Sequence, residues 1–539
     1  MKARPYQTRA IDGALEAFKT HQSVLLVMPT GCGKTVVFSH IIDKVLEANP
    51  GKRAMVVAHR EELIHQAAEK LHAVTGITSG IEMAELVADS NMFDNRLVVA
   101  SVQSLNAKRG GKPRLHRFDP RDFAIIVIDE AHHATAKSYR AIQGHFQSSP
   151  TTRLLGVTAT PDRQDETALG TVFKACAFDY DMAHAIRDGW LTPIKQQIVY
   201  VNGLNYDNAR VQMGDLSAKD IAKAQSSEQT LHAMVVPMIE AAGDRRTIVF
   251  SAAGKQAGDD PFHIATRIEE IIGRYKPGLV ARVSQDTERE KRRQILKDFA
   301  SGKLQYVVNV GVLTEGFDDP GVSCVAVMRP TLSRSLYCQM IGRGTRPVPG
   351  VVDAHEEAEA RRIAIAASAK PDLLVLDFEG RNCKHKLVHT TDVLAGNEPP
   401  EVLAKVKKQL EKQGGGDPLE VLEEIKEAEE KRRINAEKRR ALKVATIEYD
   451  KQERNPFQAI NLPPMEVLAS RNDPPTMAQL HLIRKLGFPI DVIKSRKQAS
   501  AVIEKLIERK SKGLTPYPPG QQKAQANASA AAMRLIGAL

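Results

Sequence analysis

Gly31, Gly33, Lys34 and Thr35, within MPTGCGKT at 28–35, are the residue types a phosphate site needs. Glycines let backbone N–H groups face the anion, a lysine adds charge, and a hydroxyl can hold Mg²⁺. The common spelling of such a loop starts with a glycine, but Met28 stands in that place and Cys32 separates the two glycines. Taken alone, the stretch could also be a turn that only caps a helix. A second group lies in IIVIDEAHH, where Asp129 ends an apolar run as a candidate magnesium partner. Glu130 follows it, placed to orient and deprotonate an attacking water. A third is QMIGRGTRP at 339–347, whose Arg343 and Arg346 are three residues apart and fall on one helix face. Arginines brought from a second domain stabilise charge developing on a γ-phosphate. Together these groups read as a nucleoside triphosphatase using Mg²⁺, with Thr35 and Asp129 on the metal.

Such groups need rigid elements. From 24 to 160, short β-branched apolar runs alternate with helix-like segments: VLLVMPT, AMVVAHR, RLVVASV, FAIIVIDE and RLLGVTAT. Runs apolar on both faces suit a parallel sheet covered by helices, and the candidate residues gather at the strand ends where such sheets bind ligands. TIVFSA, LVARV, YVVNVGV, VSCVAVMRP and DLLVLDF repeat the rhythm between about 245 and 380. The expected fold class is therefore α/β, with two tandem parallel-sheet domains, 1–190 and 236–395, joined by a connector at 191–235. A charged helical linker (400–455), a small basic helical module (470–515) and a frayed tail (516–539) are expected beyond them. Asp417-Pro418 marks a helix start, with acids early and bases late along the helix dipole.

Bulk composition agrees with this plan. A chain of 539 residues, 42% apolar, exceeds one core. No signal-peptide pattern or long apolar span is evident, so a cytoplasmic location is expected, and five scattered cysteines suggest reduced thiols. Cys383 with His385 and His389 lacks a fourth zinc partner nearby. The formal charge is +11, and twelve Lys and Arg against four Asp and Glu lie between Arg471 and Leu539. That tail favours an anionic polymer.

DEAH together with PTGCGKT resembles the superfamily 2 DEAD/DEAH-type helicases, whose phosphate loop commonly lacks the first glycine. RPYQ at 4–7, VVAHREELIHQ at 56–66, VASVQSL at 99–105, GVTATP at 156–161, IVFSAA at 248–253, VGVLTEGFDDP at 310–320 and QMIGRGTRP resemble further motifs in family order. The resemblance implies two RecA-like domains. It implies adenine recognition by Arg4 and Gln7, phosphate binding by Thr30 to Thr35, and ribose or phosphate proximity for Gly316 and Asp318. It makes His132, Thr158, Thr160 and Gln339 couplers between the ATP and nucleic-acid sites. Arg60, Ser101, Gln103, Ser251 and Thr314 become candidate nucleic-acid contacts, although each alone reads equally well as a helix cap or solvated loop end. The wording of LTEGFDDPGVSCVAVMRP and QMIGRGTRP resembles RadD-like and phage or prophage-encoded DNA helicases, a branch near UvsW and RecG. A DNA helicase or translocase working on forked or branched DNA follows as the expectation, in a bacterial or phage-infected host cytosol. It would act as a monomer that meets a replication or recombination protein through its C-terminal helices. An RNA helicase and an ATP-regulated adaptor without unwinding stay open as alternatives. Cys32 reads first as a small side chain that fits between two glycines; a thiol at a helix N-terminus should also ionise more readily than usual, which makes oxidative loss of ATPase a second reading.

Overall fold

The computed structural model describes residues 3–59, 61–88, 96–159, 169–212, 214–254, 263–313, 317–381, 383–395, 398–443, 456–462 and 473–517. It divides into one unit of residues 1–396 with 403–421 and a second of 397–402 with 422–539.

The first unit contains two parallel sheets. One is built from β1 (Ser23–Val27), β2 (Arg53–Ala58), β3 (Ser79–Glu82), β4 (Leu97–Ser101), β5 (Phe123–Asp129), β6 (Arg153–Thr158) and β7 (Ala175–Asp179). Its order is β3-β4-β2-β5-β6-β1-β7, with every pairing parallel. Alternate side chains explain the continuous apolar runs. Val24, Leu26, Val56 and Val127 enter one core, while Leu25, Val27, Val57 and Ile128 enter the core on the opposite face. Burial on both faces leaves only the strand ends for polar chemistry.

The second sheet comprises β8 (Ile194–Tyr200), β9 (Thr247–Phe250), β10 (Val280–Val283), β11 (Tyr306–Asn309), β12 (Cys324–Val327) and β13 (Leu373–Glu379), in the order β8-β13-β12-β9-β11-β10. The α/β, doubly RecA-like architecture expected from the sequence is the one observed. Within the stretch expected as a connector, IKQQIVY forms β8 and pairs in parallel with β13. Its two glutamines hide the strand period: Gln196 is buried and spends its side chain on Asp377 and Thr391. Beyond 400 the charged stretch divides near 421. Gly416 exchanges backbone hydrogen bonds with Gln196 at 2.8 and 2.9 Å, and Leu410 and Leu419 are buried, so 403–421 belongs with the sheets.

In the second unit, Phe457, Ile460, Ile483, Phe488, Ile493, Ala499, Val502 and Leu506 form a separate core around the helices Met477–Lys485 and Arg496–Ser511. No helix among the described residues is long and apolar enough to cross a membrane.

Candidate active site

The phosphate loop leaves β1 at Met28, whose N–H donates to the Thr158 carbonyl at 2.9 Å and whose side chain is fully buried. The position therefore serves packing, which a glycine could not do. Gly31 and Gly33 have φ of 93° and 72°. A Cβ on Gly33 would stand 2.6 Å from the Gln7 amide nitrogen; on Gly31 it would meet Leu191 at 3.1 Å and Arg346 at 3.2 Å. Only glycine suits both places. The helix Lys34–Ala48 begins at Gly33 with no side-chain cap, so its first N–H groups face outward as an anion site.

Gln7 and Tyr6 brace this loop from the helix Pro5–Ala17. Both donate to the Cys32 carbonyl at 3.0 Å, and the Gln7 side-chain oxygen accepts from Arg4 N–H at 2.9 Å. Both ends of the Gln7 amide are thus engaged by the protein, which makes it a support of the loop. Arg4 lies over Trp190 at 4.9 Å and pairs with Asp353 at 2.8 Å. The surroundings of Cys32 do not favour its ionisation. Its thiol is buried, and burial pushes its pKa up to about 12, outweighing the nearby cations. The helix N-terminus does not offset the loss of water.

At the end of β5, Glu130 adopts a left-handed backbone, φ 49° and ψ 55°, which costs a non-glycine residue about 1–3 kcal/mol. Its N–H donates to Asp129 Oδ1 at 3.0 Å. Its carboxylate meets Lys34 Nζ at 3.3 Å and His132 Nδ1 at 3.5 Å, and His132 Nδ1 is also 3.3 Å from Thr158 Oγ1. Burial raises the Glu130 carboxyl, but Lys34 and His132 more than reverse this and hold it below the usual range. Asp129 moves the other way, raised by burial and by the Glu130 charge. Burial lowers His132 to about 4, so it is neutral near pH 7. Thr35 and Asp129 carry the hard oxygen donors that Mg²⁺ prefers and could hold it, with substrate phosphates and water completing such a shell. Lys34, freed from Glu130, would face the phosphates.

The second sheet contributes the helix Arg334–Gly342 and the turn after it. A Cβ on Gly342 would be 2.7 Å from Thr30 Cβ, so the glycine lets this helix end rest on the phosphate loop. Thr192 N–H donates to the Thr345 carbonyl at 2.7 Å. Arg343 Nη1 donates to the Phe317 carbonyl at 2.7 Å and helps keep Glu130 ionised. Arg346 pairs with Asp318, and burial lowers its pKa to about 10. Asp318, expected near a ribose or phosphate, is here the partner of Arg346. Gln339 is buried within the helix.

Two lysines at the site were not visible as motif residues. Lys70, on the helix Glu61–Thr75, has its pKa lowered by burial and then by Arg346, while Asp129 raises it. Lys370 is 3% exposed, and its Nζ donates to the Pro320 carbonyl at 2.9 Å and the Arg346 carbonyl at 2.6 Å. No local pattern marks either one, because only the fold brings them in.

Ser101 caps the helix Val102–Asn106 by accepting from Ser104 N–H at 3.3 Å and donates to Gln103 Oε1 at 2.8 Å. Ser251 is buried at the end of β9, its N–H donating to Asn309 O at 3.0 Å. Arg60, Thr160, Thr314 and Gly316 lie outside the described residues. His389 pairs with Glu379 at 3.3 Å, and no group of His, Cys, Asp and Glu among the described residues is arranged to hold a metal.

Residues 1–163 match the family "Type III restriction enzyme, res subunit", and residues 228–347 match "Helicase conserved C-terminal domain". The protein named ATP-dependent helicase IRC3 of Saccharomyces cerevisiae is 29% identical over 356 residues, 64% of this chain and 49% of the relative. The mitochondrial ATP-dependent helicase irc3 of Schizosaccharomyces pombe is 28% identical over 410 residues, 75% of this chain and 61% of the relative. The chain thus spans about half to three-fifths of these relatives. A fragment of an HsdR-type subunit of a type I restriction enzyme from Vibrio vulnificus shares the fold, with a TM-score of 0.50 at 22% identity over 70% of this chain and 64% of that one. Two domain families matched in order, on two RecA-like sheets that meet at a phosphate loop, make the chain similar to the superfamily 2 helicases.

Proposed function

We propose that the protein is an ATP- and Mg²⁺-dependent DNA helicase or translocase that remodels forked or branched DNA, in a branch similar to the RadD-like and phage-encoded enzymes. One observation carries the reading: the phosphate loop is completed from the second sheet, with Gly342 against Thr30 and Arg346 against Gly31. A site assembled from both halves links hydrolysis to their relative motion. Lys34 binds the phosphates, and Thr35 and Asp129 would hold Mg²⁺, which would supply charge stabilisation on the phosphoryl oxygens. Glu130, kept ionised at neutral pH, accepts the proton of the attacking water. Arg346 and Arg343 stabilise the developing charge only while the halves are together.

His132, between Glu130 and Thr158, carries the nucleotide state toward the motif that continues through Thr160. Ser101, Gln103 and Ser251, with Arg60 and Thr314, serve as the nucleic-acid contacts. The match of the first half to a restriction-enzyme family supports DNA over RNA. The test is ATPase stimulation by single-stranded DNA, forked DNA and RNA in parallel, with strand displacement on forks. Stimulation strongest with forked DNA, and lost in Lys34→Ala, is expected. Stimulation by RNA alone would move the protein to RNA helicases, and displacement without ATP would sink the mechanism.

A further inference from the structure

Residues 473–517 contain nine Lys and Arg against four Asp and Glu, a net charge of +5 in a short segment. The pairing inside this module separates its cations into two sets. Lys505 and Lys512 both bond Glu508, at 2.7 and 2.5 Å, and the Arg509 side chain turns back to the Thr515 and Pro516 carbonyls. Arg484, Lys485, Lys494, Arg496, Lys497 and Lys510 are exposed and have no acidic partner among the described residues. Three of them cluster around the start of the helix Arg496–Ser511, where Ser495 caps Gln498 N–H. That placement runs against the helix dipole, which favours acids at this end. Unpaired cations at an unfavourable helix end gain by meeting an anion from outside.

The aromatic residues narrow the kind of anion. Phe457 meets Phe488 in a tilted contact at 5.6 Å, and Tyr517 meets Phe488 edge-on at 5.1 Å, in and against the module's own core. A module that reads unpaired bases presents aromatic faces to stack on. Here the phenylalanine faces are spent on folding, while the cations stand exposed on the surface. Such a surface fits the phosphate backbone of a duplex, bound through charge and without sequence preference.

We infer that residues 473–517 form a second nucleic-acid site, separate from the motif-lined site of the two sheets, which grips duplex phosphates through Lys494, Arg496 and Lys497, with Arg484 and Lys485 beside them. This inference rests on the nucleic-acid reading of the whole protein. A tether of this kind raises the effective concentration of DNA at the motor without entering its chemistry.

The test uses the full chain and a labelled duplex. In the variant Lys494→Gln/Arg496→Gln/Lys497→Gln, the slope of log K against log salt concentration should shrink by about 2–3, since each phosphate contact contributes about 0.9. The maximal ATPase rate at saturating DNA should stay at the parent value while the DNA concentration for half-stimulation rises. An unchanged slope overturns the proposal. Loss of polyglutamate binding with duplex binding intact would assign the patch to an acidic protein partner, and also overturns it. If the parent ATPase is not stimulated by any nucleic acid, the motor reading fails; the duplex-binding slope still judges this site separately.

Discussion

Glu130 combines a strained backbone, a lysine on one carboxylate oxygen and a histidine on the other. The strain aims the side chain at the phosphate loop, and Lys34 keeps it a base near neutral pH, where His132 is uncharged. Glu130→Gln removes the proton acceptor, so turnover should fall by about 10²–10⁴, the usual worth of a general base. The same change frees Lys34 from its ion pair. Equilibrium binding of a non-hydrolysable ATP analogue should therefore tighten in this variant, measured by calorimetry; weaker binding would mean the Lys34–Glu130 pair does not compete with nucleotide. Lys34, Asp129 and Glu130 were legible in the sequence because their types follow apolar runs at strand ends. The neutral, buried state of Cys32 was not, because burial outweighed the helix terminus and depends on Tyr6 and the loop packing. Iodoacetamide should leave Cys32 unlabelled in the native protein, read by peptide mass.

Among the elements, the segment from β11 to β13 governs the arginine supply. Lys370 ties the Pro320 and Arg346 carbonyls together, so two loops from different strand ends move as one. Burial lowers the Lys370 pKa to about 7, with Asp319 raising it and Arg346 and Arg246 lowering it further. Below about pH 7 a charged ammonium donates to both carbonyls; above it a neutral amine donates more weakly. The ATPase rate should fall on the alkaline side with a midpoint near 7, and Lys370→Arg, which stays charged, should remove that fall. Stability has the opposite sign. Between the folded value and the ordinary 10.5, the unfolded chain binds more protons, so the protein grows more stable as pH rises. A melting temperature that fell in step with the rate would refute the assignment. Gly342→Ala is the second probe of this element. Its Cβ would press on Thr30 and shift the helix Arg334–Gly342, and the turnover rate should drop up to about 10²-fold, the cost of a misplacement near 1 Å, while circular dichroism keeps its folded signature. The sequence showed the helix and its arginines. It did not show β8, where buried glutamines broke the apolar pattern, nor Lys370, whose partners are all distant in the chain.

At the scale of the whole molecule, the first unit holds the complete set of ATP-site candidates, and each sheet supplies part of it. The arrangement explains why two families matched separately along the chain, at 1–163 and 228–347, describe one machine. The two halves also meet away from the phosphates. Trp190 lies between Arg4, at 4.9 Å on one side of the seam, and Arg361, at 3.9 Å on the other, with Tyr6 at 5.5 Å. It is the single tryptophan of the chain. Light absorbed by indole therefore reports from one place, and that place is the seam. Opening of the halves would strip one arginine from the ring and admit solvent, shifting its emission to longer wavelength. The chain would thus carry its own optical gauge of any opening at this seam, readable in a stopped-flow trace without a dye.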